Sequence, residues 1–281
     1  MNDGIISVPD IERFQRYMRD EEYAAGSIEL YSRSVKNMYV WHAGKPVTKA
    51  SVTAWKESLV SSGYAPVTVN AMIVAVNRFL HYLGRDECRV RALRLQRRNF
   101  REAERELSRE EYFRLVDAAE QKKQERLALT IETICSTGIR VSELRYITVE
   151  AAKAGRTSIS LKGKIRTILL PNRLCRKLLK YARHKKIARG EIFLTAGAKS
   201  VSRKQVWAEL KRLCKTAGVP PTKVFPHNLR HLFARTFYRA CRDIVKLADV
   251  LGHSSIETTC IYLISTGAEH AHTLSRLGLL S

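Results

Sequence analysis

The chain has 281 residues, 45% of them hydrophobic, enough to build the cores of two ordinary domains. No run of about 18 apolar residues exists and no charged-then-apolar leader opens the chain, which argues against a membrane partner and makes the cytoplasm the expected location. Lysine and arginine total 50 against 27 acids, a net charge of +23, and residues 101–281 carry most of the excess with 35 basic and 17 acidic groups. A polyanion is the natural partner, because every phosphate neutralised releases condensed counterions and adds salt-sensitive affinity.

Apolar residues at helical spacing predict four helices at 8–20, 26–42, 48–62 and 66–83. Thr48 and Pro66 are the starts of the last two, Gly63 and Gly84 their stops, and Ile28, Tyr31, Val35 and Met38 share one face of the second. Residues 94–106 (RLQRRNFREAERE) are dense in charge and have little periodicity, as a basic linker would. Helices are expected again at 108–120 and 124–136, the second ending at Gly138. TSISL (157–161) and IRTILL (165–170) flank a Gly-containing turn and read as a β-hairpin. Further helices follow near 172–186, 202–216, 227–240 and 243–251. Ser254 to Glu257 is a capping box that opens a last helix containing Tyr262. Beyond it, Leu274, Leu277 and Leu280 keep helical spacing. The expected fold class is mainly α with a small β-sheet in the C-terminal domain.

Six cysteines, at 88, 135, 175, 214, 241 and 260, form no C-x-x-C pair and no zinc spacing, so they read as reduced thiols in the core. No phosphate-binding G-x-x-x-x-G-K-[ST] loop is present. His227 and His231 stand four apart like the ligands of a zinc helix, but the residues between them are Asn-Leu-Arg, without the glutamate base of a zinc protease. Acids near the candidate residues (Glu143, Asp243, Asp249, Glu257) make no evident metal set of the sort a two-metal nuclease needs.

Four patterns follow one another along the basic half. TGIRVSEL places Arg140 after a helix stop with Glu143 three residues on. LKGKIR is the hairpin turn. HNLRH sets His227 and Arg230 three apart, and LGHSSIETTCIYL sets His253 nine residues before Tyr262. Phosphodiester exchange needs this inventory. Two guanidinium forks match the non-bridging oxygens on which negative charge grows. A phenol can attack phosphorus and store the bond as an ester, and a nearby acid must protonate the departing 5′ oxygen. A non-catalytic DNA-binding protein such as a repressor would need none of these groups.

With these motifs in this order, the chain resembles the tyrosine recombinases, the phage-integrase-like site-specific recombinases, over nearly its whole length. The resemblance implies a two-domain C-clamp, with a helical, SAM-like core-binding domain at 1–97, a linker at 98–106 and a catalytic domain at 107–281. It implies that Arg140 and Arg230 hold the scissile phosphate, that His227 and His253 hydrogen-bond its oxygens, and that His227 also manages the tyrosine proton. Tyr262 would be the nucleophile that leaves a 3′-phosphotyrosyl link, and Glu143 would orient the arginine or the hairpin. Lys162, before the turn glycine, would protonate the 5′ oxygen, with Lys164 the alternative. No metal or other cofactor is implied. The partners would be double-stranded DNA sites and three further copies of the chain, as a homotetramer on paired sites, serving integration and excision of a mobile element or resolution of joined DNA molecules. No separate arm-binding domain is expected before residue 8. The tail leucines would dock on a neighbouring protomer or on their own domain.

The choice of lysine is testable. Lys162→Ala should slow strand cleavage, and a substrate with a better 5′ leaving group should restore it; a loss without that rescue would move the role to Lys164.

Overall fold

A computed structural model describes residues 4–95, 103–161, 164–263 and 275–276. Lys162 and the tail leucines Leu274, Leu277 and Leu280 lie outside the described residues. The chain divides into two compact units, Met1–Arg97 and Arg98–Ser281. Most of the charge-dense stretch between the expected domains also lies outside; its described part includes a single 3-10 turn at Ala103–Arg105.

The first unit packs α1 (Val8–Asp20), α2 (Ala25–His42), α3 (Lys49–Ser61) and α4 (Pro66–Tyr82) around Phe14, Met18, Val35, Met38, Trp55 and Phe79, all fully buried. Local chemistry sets the helix ends. Thr48 caps α3 by accepting from the Ser51 amide, and Pro66 occupies the first turn of α4, where its missing N–H costs nothing. The Trp55 indole donates to Asn37 and ties α3 to α2. Asn70 and Asn77, seven apart on one face of α4, each clamp the returning backbone twice: Asn70 pairs with Leu93, and Asn77 with Val90. Two side-chain amides thus stand in for a strand partner.

The second unit is helical too. It contains α5 (Arg109–Gln121), α6 (Glu125–Thr137), α7 (Val149–Ala154), β1 (Arg156–Leu161), β2 (Lys164–Leu169), α8 (Asn172–His184), α9 (Arg203–Ala217), α10 (Pro226–Cys241), α11 (Ile244–Leu251) and α12 (Ile256–Cys260). Sequence periodicity misses α7, which is only six residues long, and the 3-10 segment Val141–Tyr146. The last helix differs from expectation. Ser255, not Ser254, caps it, and it stops at Cys260, so Tyr262 sits in the 3-10 turn Ile261–Leu263.

Strands β1 and β2 pair antiparallel, with Ile159 opposite Arg166 and Thr157 opposite Ile168. Ile159 and Ile168 enter the core, while Ile165 and Leu169 face outward, both at least 70% exposed. Arg166 therefore belongs to the inward row of the hairpin. The six cysteines are free thiols, but Cys241 and Cys260 lie at the surface instead of in the core expected for them. Among the described residues no helix is long and apolar enough to cross a membrane.

Gly138 ends α6 with φ +65°, and a Cβ there would fall 2.4 Å from the Phe233 ring of α10. Gly155 ends α7 with φ +69° and has open space around it. Gly155→Ala should cost about 1 kcal/mol of left-handed strain, and Gly138→Ala distinctly more, because steric overlap adds to the same strain. Urea unfolding of the two variants checks this; equal losses would show that Phe233 yields freely.

Candidate active site

Arg230 lies on the inner face of α10 and is 2% exposed. Its guanidinium meets four acceptors. Nη1 donates to the Gly138 carbonyl at the end of α6, Nη2 to the Leu251 carbonyl at the end of α11 and to Nε2 of His253 (both 2.9 Å), and Nε to the Tyr262 phenolic oxygen at 3.3 Å. One side chain thus gathers two helix ends, a histidine and a tyrosine. Burial lowers the pKa of Arg230, as it does for any cation taken out of water.

Tyr262 is 5% exposed and walled by imidazoles. The ring centroids of His231, His253 and His227 stand 4.3, 5.5 and 5.7 Å from its own, that of His253 nearly parallel to it. Gly252 stops α11 with φ +65° and turns the chain so that His253 points back into the site. His253 Nδ1 lies 2.9 Å from the Thr259 hydroxyl. Because Arg230 can only donate, Nε2 must be the bare nitrogen here and Nδ1 the protonated one, giving its hydrogen to Thr259. Burial, then the charges of Arg230, Arg140 and Arg166 and the nearby His227, push the His253 imidazole down to about 4, so the ring is neutral at physiological pH.

Arg140 follows the Gly138 stop and heads the 141–146 turn, its side chain 45% exposed. Glu143, 2% exposed, holds it from below: one carboxylate oxygen accepts from the Arg140 guanidinium at 2.9 Å and the other from the Arg140 amide at 2.8 Å. That second oxygen also accepts from Arg166 of β2 at 3.2 Å. Burial pushes Arg166 down to about 10, with Glu143 pulling the other way, so it remains a cation. Arg140 and Arg166 share this one buried carboxylate with Arg230 close by, and the excess positive charge suits an incoming anion.

The structure thus brings Arg140, Glu143, His227, Arg230, His253 and Tyr262 together. Lys164 begins β2, and the Lys162 position falls outside the described residues. Three neighbours escape sequence reasoning. His231 packs on the Tyr262 ring; Thr259 anchors His253; Arg166 supports Glu143. Farther along α10, Arg235 donates to the Leu107 carbonyl and pairs with Glu106, while Asn228 donates to the Arg105 carbonyl, so this helix also holds the segment before α5.

Residues 105–269, more than half of the chain, match the model of the phage integrase family. Tyrosine recombinase XerA of Pyrococcus furiosus is 27% identical over 279 residues, covering 96% of this chain and 94% of its own. Among solved structures, XerH site-specific recombinase bound to a difH substrate in a pre-cleavage complex superposes with a TM-score of 0.70 at 18% identity, over 96% of this chain and 85% of that one. A lambda integrase tetramer bound to a Holliday junction gives 0.72 at 18% identity, over 92% and 78%. With the site described above, the chain belongs to the phage integrase family, the tyrosine recombinases that cleave and rejoin DNA strands.

Proposed function

We propose that this recombinase acts on paired duplex DNA sites as a homotetramer in the cytoplasm, with Tyr262 as its nucleophile. The observation that carries the reading is the buried Tyr262 phenol hydrogen-bonded to Arg230 beside the Arg140–Glu143 pair. The Tyr262 oxygen forms a bond to phosphorus as the bond from phosphorus to the 5′ oxygen breaks. The product is a 3′-phosphotyrosyl ester and a free 5′ hydroxyl, and the reverse attack rejoins the strand. Because the ester keeps the bond energy, no ATP is consumed.

Arg230 and Arg140 clamp the non-bridging oxygens, one buried and fixed, the other at the surface where DNA arrives. Glu143 orients Arg140 and the hairpin. His227 takes the phenolic proton, which is free to leave because the oxygen accepts from Arg230 instead of donating to it. Lys162, or Lys164 in its place, protonates the 5′ oxygen. His253 must present a hydrogen to a phosphate oxygen, yet its Nε2 accepts one here. The Thr259 hydroxyl, which can donate as well as accept, allows the ring to exchange tautomers when phosphate displaces it from Arg230. Residues 1–97 serve as the core-binding unit, 98–106 as linker and 107–281 as the catalytic unit. Resolution of joined DNA molecules and movement of an integrating element would both use this chemistry.

A library of nicked duplexes with randomised flanks tests the central step, since loss of the short strand beyond the nick traps the ester. Wild-type protein should form an adduct stable to denaturant, with the DNA mapped to Tyr262. Tyr262→Phe should bind DNA with the same salt dependence and form none. Attachment to another side chain, or no attachment at all, would overturn the assignment.

The neutral state of His253 has a consequence for stability. Its folded pKa, about 4, lies below the ordinary 6.5, so between these values the unfolded chain takes up a proton that the folded one refuses. Without DNA, its contribution to stability is complete above about pH 6.5 and is lost as pH falls toward 4. His253→Gln should therefore show a shallower fall in urea midpoint than wild type between pH 7 and 5; parallel slopes would mean that His253 titrates normally.

A further inference from the structure

The reaction scheme above takes its proton donor from the hairpin, and Arg166 is a side chain that joins the hairpin to the site through Glu143. It stands on the inward row of β2, with Ile159 opposite and Ile168 two residues on, and an apolar residue there would fill the space without desolvating a charge. Arg166 is 89% buried instead, and its Nε and Nη2 are buried without a hydrogen-bond partner among the described residues, so its presence is costly to the fold. Two contacts give it a purpose. Nη1 donates to Glu143, the carboxylate that orients Arg140. Its stem lies across the backbone of Gly252, where a Cβ would fall 2.3 Å from Cδ and 3.0 Å from Nε. His253 is the next residue.

We propose that Arg166 is a positioning residue, a strut that fixes the hairpin against both the Arg140–Glu143 pair and the Gly252–His253 turn, and so sets the reach of the turn lysine to the departing oxygen. The proposal rests on the assignment of that lysine as the acid. As the Tyr262 oxygen bonds to phosphorus and the 5′ oxygen leaves, the lysine ammonium gives that oxygen a proton. An ångström of hairpin drift misplaces the proton donor, while the two phosphate-binding arginines stay where they are.

The test uses duplexes recovered from the nicked library, synthesised with either oxygen or sulfur at the bridging 5′ position, since a thiolate leaves without needing a proton. Arg166→Met keeps the stem over Gly252 and loses the bond to Glu143. Cleavage of the oxygen substrate should slow about 10²-fold, and cleavage of the sulfur substrate should stay within a few-fold of wild type. Arg140→Ala should be slow on both. Wild-type speed of Arg166→Met on oxygen, or equal slowing on both substrates, would overturn the strut. If thermal unfolding shows that Arg166→Met does not fold, Arg166→Lys carries the same comparison. Rescue by sulfur in Lys162→Ala or Lys164→Ala, but not in the Arg166 variant, removes the positioning role alone. No rescue in either lysine variant removes the acid assignment and the strut with it.

Discussion

The buried guanidinium of Arg230 organises everything around it. A cation of this depth is expensive to desolvate, and the cost is offset only where hydrogen bonds surround it. Here the acceptors are unusually apt. Two are carbonyls at the C-terminal ends of α6 and α11, where helical backbone has oxygens without intrahelical partners and a partial negative charge. The other two are the imidazole and the phenol of the proposed chemistry. Fold and reactive groups are therefore joined at one atom cluster: if α6 or α11 shifted, Tyr262 and His253 would shift with it.

Around that centre the charges are deliberately uneven. Glu143 pairs with Arg140 and Arg166 by direct contact, while Arg230 is held by neutral acceptors, so the site stays positive in the absence of DNA. The same field, added to burial, keeps His253 neutral. A bound phosphate would supply the missing negative charge and favour the added positive character of any ring that bonds to it, which links substrate binding to proton placement. Arg140 differs from Arg230 in exposure, and this suits a division between a fixed contact and one that meets arriving DNA.

Much of this was legible in the chain. Helix spans followed from apolar spacing, and Thr48, Pro66 and Gly138 marked real ends because each offers a backbone partner or conformation that its neighbours lack. Arg140, Arg230, His253 and Tyr262 were found through their order along the sequence, which no single one of them could have revealed. What escaped has physical reasons. A six-residue helix such as α7 has too few turns to show a period. Ser254 and Ser255 offer the same hydroxyl, and only the backbone geometry selects the second as the cap. Thr259 and His231 act through contacts from different elements, and spacing along one helix does not report these. Arg166 stood in a strand whose two faces both contain large apolar residues, so alternation alone did not say which row turned inward.

The acceptors of Arg230 at the helix ends have a further consequence. Gly138 and Leu251 offer main-chain oxygens, and every amino acid possesses that atom. Substitutions along the outer faces of α6 and α11 can accumulate without touching the anchor, provided the chain still turns left-handed at Gly138 and Gly252. An anchor built from backbone is insensitive to drift in side-chain identity, and this gives a physical route by which such a pocket outlasts extensive divergence of the sequence that encloses it.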